Sequence, residues 1–318
     1  MTHVGAGSRI AVTGVTGFVG EALVLRLVER GHRVVGISQP DTPPETIAGH
    51  LESYHSADLT ECWPEVGALD GLIHLAGLSS VGPSFDRPQD YIQTNSAIVT
   101  QLFEDALARG WKGRAVIVSS GAVYGGGMDE SGLNEDSAVL PTSPYVVSKL
   151  LIENQTAYYR LRGVDALVVR PFNHIGPGQK AGFIVPDLVE KIVRSKPGEA
   201  IYAGNLVSSR DYTDVRDVVD AYRLLLEHRV LEHHTYNICS GRSRSGREVL
   251  RAVCNALGRS VPDVIQEDQR AIDPSHILGD ATRIRRDVGW APKIELQTSI
   301  DDFVSRYVRE TSFAGSID

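Results

Sequence analysis

Short apolar runs alternate through the first half of the chain with longer amphipathic stretches. The runs are Arg9 to Val12, Arg33 to Ile37, Gly71 to Leu75, Ala115 to Val118 and Ala166 to Val169. They are apolar nearly throughout, as strands are when both faces are covered. Between them lie Val19 to Glu29, Tyr91 to Ala108 and Pro144 to Leu161, which read as helices. Strand and helix in regular alternation predict an α/β fold: a doubly wound parallel sheet with right-handed crossovers.

After Arg170 the rhythm breaks. Pro171-Phe172-Asn173-His174-Ile175-Gly176-Pro177-Gly178-Gln179 reads as a loop from its proline and glycine content, and a second region begins there. A helix from about Ile184 to Ser195, a loop from Gly204 to Arg210 and a mixed segment from Gly241 onward predict a smaller α/β C-terminal lobe. The expected division is a sheet domain over 8–172 with a returning segment at about 211–238, and a lobe over 173–210 and 239–318. At 318 residues the chain exceeds the size at which one core stops growing, which fits two lobes. There is no internal repeat or low-complexity tract.

The first strand runs into Gly14-Val15-Thr16-Gly17-Phe18-Val19-Gly20, which opens the first helix. In this context each glycine has a mechanical role. Gly14 permits a tight turn, Gly17 lets backbone approach a pyrophosphate, and Gly20 lets helix pack close on strand. The loop therefore predicts a Rossmann-type dinucleotide site, with Gly14, Thr16, Gly17, Phe18 and Val19 against the ligand. A bare turn without ligand is the bland alternative. At the end of the second strand stand Gly36-Ile37-Ser38-Gln39, with neither an acid to hold a ribose 2′-hydroxyl nor an arginine. NADP(H) or NAD(H) is expected, with NADPH slightly favoured. Asp58 and Leu59 follow the third strand and are assigned to the adenine end; a plain helix cap is the alternative for Asp58.

Ser143-Pro144 is a helix-start signal. Tyr145 and Lys149 then share one face, four residues apart. A lysine ammonium beside a tyrosine favours the phenolate, so the pair is suited to proton exchange. A solvated helix face is the bland reading of such a pair. Its weight comes from Ser119-Ser120-Gly121-Ala122, which leaves a strand at the carboxyl end of the sheet, where such folds bind ligands. Ser120 is the expected hydroxyl that orients a substrate carbonyl beside Tyr145, with Ser119 the second choice.

Composition narrows the partners. Thirty-two basic against forty acidic residues give a formal charge of -8, which disfavours nucleic acid. Cys62, Cys239 and Cys254 are too few and too scattered for a disulfide framework or a zinc site, and no metal is expected. No run approaches the ~20 apolar residues of a membrane span. A cytoplasmic location without membrane attachment is expected.

Together these residues resemble the extended short-chain dehydrogenase/reductase family. Its nucleotide-sugar members share the Gly14 to Gly20 loop, a strand end like His74-Leu75-Ala76-Gly77, an asparagine matching Asn95, and the Ser, Tyr, Lys set. More narrowly, Arg170 to Gln179 with Gly182-Phe183, then Gly204-Asn205-Leu206, Arg210 to Asp217, and Tyr236 to Gly241 resemble the reductases of GDP-4-keto-6-deoxy-D-mannose. The resemblance covers nearly the whole chain. It implies reduction of the C4 ketone of a nucleoside-diphosphate 4-keto-6-deoxyhexose, giving GDP-D-rhamnose or its C4 epimer, with Tyr145 as proton donor. It also implies cofactor contacts from Leu75, Ala76, Gly77, Asn95, Lys149 and Pro171. Substrate contacts are expected from Ser80, Ser120, Asn173, Val185, Arg210 and Arg270, the arginines suiting a diphosphate. His174 is assigned no chemistry.

Two departures qualify the likeness. The related 4,6-dehydratases carry an acid pair directly after the catalytic hydroxyl, where this chain has Gly121 and Ala122; neither can move a proton. Arg270-Ala271-Ile272-Asp273 lacks the proline of the reductases, so GDP, dTDP and other nucleotides stay open. A nucleotide-sugar 4-epimerase and a catalytically silent dinucleotide sensor are the competing readings. A homodimer through the Tyr91 to Ala108 and Pro144 to Leu161 helices is expected, although Ile92, Ala97, Leu102 and Ala106 fit equally against the sheet.

Overall fold

The structure is a computed structural model that describes residues 4–126, 132–266 and 275–314. One sheet is formed by β1 (Arg9–Thr13), β2 (Arg33–Ser38), β3 (Ser53–Ser56), β4 (Gly71–His74), β5 (Arg114–Val118), β6 (Asp165–Pro171) and β10 (Thr235–Ile238). Every pairing in it is parallel, in the order β10-β6-β5-β4-β1-β2-β3. The expected doubly wound α/β architecture is therefore present. The order reverses between β1 and β4, and ligands of such sheets bind at that reversal.

Successive strand residues feed opposite cores. Ile10 and Val12 enter one apolar cluster and Ala11 the other; Val34 and Val35 divide in the same way. One cluster lies under α1 (Phe18–Glu29) and α7 (Val215–Glu227), the other under α4 (Pro88–Ala108) and α5 (Pro144–Leu161). Leu102 and Ala106 are buried on the sheet side of α4. Val147, Tyr158 and Leu161 of α5 are exposed. Single turns α2 (Glu45–Ala48) and α3 (Val81–Ser84) complete this part.

The remaining elements gather around a third cluster with Val189, Ile192, Val249, Val253 and Ile300 at its centre. They are β7 (Asn173–Ile175), α6 (Ile184–Arg194), β8 (Ile201–Ala203), β9 (Ser209–Asp214), β11 (Ser243–Ser245), α8 (Gly246–Leu257), β12 (Val264–Gln266) and α10 (Leu296–Ala314), while α9 (Thr282–Val288) returns to the large sheet, packing on β10 with Ile284 in the first cluster. Two expected loops are shorter than the sequence suggested. Asn173 to Ile175 pair in parallel with Tyr212 to Asp214, and Arg210 lies inside β9, opposite Arg244. Three residues are too few to display a period, and the partner that satisfies their backbone is far along the chain.

Asp214 ends β9 and caps α7, its Oδ1 accepting the Arg216 amide at 2.8 Å. Arg216 in turn reaches Asp302 of α10 at 2.8 Å. Cys62, Cys239 and Cys254 are free thiols, and no described helix is long and apolar enough to cross a membrane.

Candidate active site

The carboxyl ends of the strands open into a cleft of about 1160 Å³ beside the smaller lobe. Gly14, Thr16, Gly17, Phe18 and Val19 line its floor. Gly14 has φ +73°, and a β-carbon there would sit 3.0 Å from the Ala76 nitrogen. At Gly20 a β-carbon would lie 2.6 Å from the Val15 α-carbon, so no larger residue lets α1 pack this closely. At Gly17 it would meet only the Gly14 carbonyl, at 3.3 Å, which leaves this side of the loop open to a ligand. α1 also starts at Gly17 without a side-chain cap, so its first amides present partial positive charge to the cleft. A pyrophosphate fits this cradle.

Ser38, Asp58 and Leu59 border one end of the cleft, and Leu75, Ala76, Gly77, Ser80 and Pro171 lie further along it. The Ser38 hydroxyl pairs with Thr16 at 2.8 Å. Asp58 accepts from the Thr60 amide and hydroxyl at 2.9 and 2.7 Å, which closes a turn; no helix follows it, so the helix-cap alternative does not hold. Asn95 stands behind the wall, not in it. Its amide group accepts from Leu78 nitrogen at 2.8 Å and donates to Leu78 oxygen and Ser148 Oγ, pinning the turn after β4 to α5.

Thr13 Oγ1 accepts the Leu75 and Ala76 amides, so its own proton goes to His74 Nδ1 at 2.8 Å. Burial, with the Lys149 charge second, lowers the His74 pKa from 6.5 to about 3. The unfolded chain protonates this imidazole near 6.5 while the folded one resists until about 3. The stability contributed by neutral His74 is thus complete above about 6.5 and is lost as pH falls towards 3. Unfolding free energies from urea titrations at about pH 7 and 4.5 are expected to differ by roughly 2 kcal/mol more in the wild type than in His74→Asn. Equal differences would reject this account.

Ser143 caps α5, accepting the Val146 amide at 3.2 Å, and this places Tyr145 and Lys149 in the first turns. Ser120 Oγ accepts the Ala122 amide at 3.1 Å and lies near enough to the Tyr145 hydroxyl to lower its pKa. Ser119 faces away, donating to Glu153 Oε1 at 2.6 Å, so of the two serines only Ser120 meets Tyr145. Arg170 grips the same carboxylate through two bonds of 2.9 and 2.7 Å and reaches the Tyr124 hydroxyl at 2.8 Å. This buried network ties β5 and β6 to α5 and holds the register between Ser120 and Tyr145.

Lys149 Nζ donates to Val118 oxygen at 3.0 Å and lies 5.7 Å from the Tyr145 ring centre. Burial lowers its pKa to about 8, against the pull of Glu153. Burial raises Tyr145 to about 12, the Ser120 hydroxyl opposing and Tyr91 adding to the rise. Desolvation outweighs the Ser120 contribution and leaves Tyr145 a protonated phenol.

The other expected residues divide. Asn173 lines the cleft. Val185 does not: α6 turns it inward, with no exposed surface, among the apolar residues of the lobe. Arg210 donates to Ser209 oxygen at 2.8 Å and is not among the residues of the cleft wall. Arg270 lies outside the described residues. The residues with no assigned chemistry that also line the cleft include His174, stacked on Phe18 with ring centres 6.1 Å apart, Gln179 and Tyr222. His174 and Gln179 sat in a motif already singled out, whereas nothing in the sequence separated Tyr222 from the apolar stripe of its helix.

A parallel sheet that reverses beside a glycine cradle, with Ser120, Tyr145 and Lys149 at its mouth, defines the extended short-chain dehydrogenase/reductase class. The model of the NAD dependent epimerase/dehydratase family matches residues 10–239, and the chain belongs to that family. The GDP-6-deoxy-D-mannose reductase of Pseudomonas aeruginosa is 31% identical over 306 residues, covering 93% of this chain and 96% of that protein. The structure of RMD from Pseudomonas aeruginosa complexed with NADPH superposes with a TM-score of 0.82 at 31% identity, over 95% of this chain and 99% of that one. The UDP-glucose 4-epimerase of Thermus thermophilus, in complex with NAD, gives 0.84 at 26% identity, over 94% and 99%.

Proposed function

We propose that this chain is an NADPH-preferring 4-ketoreductase that acts on a nucleoside-diphosphate 4-keto-6-deoxyhexose, GDP-4-keto-6-deoxy-D-mannose being the first choice. The observation that carries this reading is the meeting of Ser120, Tyr145 and Lys149 in one cleft, Lys149 Nζ 5.7 Å from the Tyr145 ring centre, with Gly121 and Ala122 in place of acids after Ser120. The dinucleotide, when bound, supplies the hydride. Ser120 and Tyr145 hold the ketone oxygen, and Tyr145 gives it the proton. A phenol raised to about 12 is protonated at neutral pH, as a proton donor must be. Lys149 keeps a charge below about 8 and favours departure of that proton.

Elimination of water is disfavoured by Gly121, where a β-carbon would meet the Phe172 ring at 2.7 Å, so no acid fits there. The absence of an acid after β2 leaves room for a 2′-phosphate, and the reductase relative was solved with NADPH. Asn173 and Ser80, both on the cleft wall, are assigned to the sugar diphosphate together with Arg270 and with Arg210, which would reach it only by turning from Ser209. A homodimer across α4 and α5 belongs to the same reading, supported by exposed Val147, Tyr158 and Leu161.

The test follows NADPH and NADH absorbance with the 4-keto-6-deoxy sugars of GDP and dTDP. Consumption with the GDP sugar supports the proposal, and consumption with dTDP alone moves the base specificity. Interconversion of 4-hydroxy sugars without net cofactor consumption establishes an epimerase instead.

A further inference from the structure

Among the described residues of the cleft wall, Tyr222 is the one that comes from α7. That helix packs on β4 and β5, the strands that end in His74 and lead to Ser120. Its ring is completely buried in the same apolar cluster as Tyr145. Its hydroxyl is buried too, and has no hydrogen-bond partner among the described residues. Leaving a buried donor unsatisfied costs stability, so a phenylalanine would serve the core better unless the oxygen acquires a partner. The backbone of α7 lies under the sheet, so the part of Tyr222 that reaches the cleft is the far end of the ring.

We infer that the Tyr222 hydroxyl is a positioning contact for the nicotinamide end of a bound dinucleotide, donating a hydrogen bond from the sheet face opposite the one that supplies Tyr145. The inference rests on the dinucleotide reading of the cleft. The adenine end is excluded by place, because Ser38 and Asp58 lie beyond β1 and β2, whereas α7 packs on β4 and β5. Tyr145 is near enough to raise the Tyr222 pKa further, which sets this hydroxyl towards the reacting end. Burial pushes Tyr222 so far up that it remains a neutral donor at every working pH and cannot replace Tyr145 as an acid.

Tyr222→Phe removes only the oxygen. The ligand-free variant is expected to melt at or slightly above the wild-type temperature. Its Kd for NADPH, read by nicotinamide fluorescence, is expected to rise about five- to twentyfold. The Kd for 2′-phospho-ADP-ribose, which lacks the nicotinamide, should stay within about twofold. Fluorotyrosine incorporated in place of tyrosine offers a second readout: the fluorine signal that Tyr222→Phe removes should shift with NADPH and not with the fragment. Equal NADPH affinity in both proteins would overturn the inference, because the orphan oxygen would then be satisfied by water. Parallel weakening towards the fragment would overturn it as well. A wild type that binds neither NADPH nor NADH fails the dinucleotide reading itself, and this inference falls with it.

Discussion

Tyr145→Phe is expected to lose roughly a thousandfold in turnover of the proposed ketoreduction while NADPH affinity stays within about twofold. Among the described residues, the phenol is the protonated acid that lies beside both Ser120 and Lys149. Phenylalanine keeps the ring against Tyr91, whose edge meets it with ring centres 6.4 Å apart, so the fold should not register the change. Single-turnover hydride transfer separates the outcomes. A wild-type rate in the variant would remove Tyr145 from the chemistry and leave Ser120 or water to supply the proton. A loss of affinity equal to the loss of rate would instead make Tyr145 a binding residue.

Glu153→Ala should be the most destabilising single change in the site. Arg170 and Glu153 have side chains only 9% and 12% exposed, and removing one partner of such a pair strands the other charge in the interior. A cost of about 3–5 kcal/mol follows, which corresponds to a melting point lower by roughly 10 °C. Ser119 loses its acceptor in the same step. Activity should fall further than the unfolded fraction explains, because β5 is no longer held to α5. Glu153→Gln keeps part of the hydrogen bonding and should fall between the two. A melting point unchanged in the alanine variant would contradict this account.

The parts of the molecule that could be read from sequence are those with a local cause. α5 begins where Ser143 and Pro144 said it would, because capping is chemistry between neighbours. The sheet strands were visible because burial on two faces leaves an unbroken apolar run. Asn95, Val185 and β7 misled for the opposite reason: each is fixed by a partner distant in the chain, Leu78 and Ser148, the lobe core, and β9 respectively. Glu153 lay within reach of inspection. It follows Lys149 by four residues, as Lys149 follows Tyr145, and that spacing puts all three on one helical face. What the spacing could not reveal was Arg170 arriving from β6.

Asp214 has no residue of slack on either side, being the last of β9 and the cap of α7. A strand of the smaller lobe therefore passes into a helix under the large sheet with no loop between them. A shift in the register of β9 would pass without slack to the helix that carries Tyr222 to the cleft wall, so the smaller lobe and the large sheet share one junction.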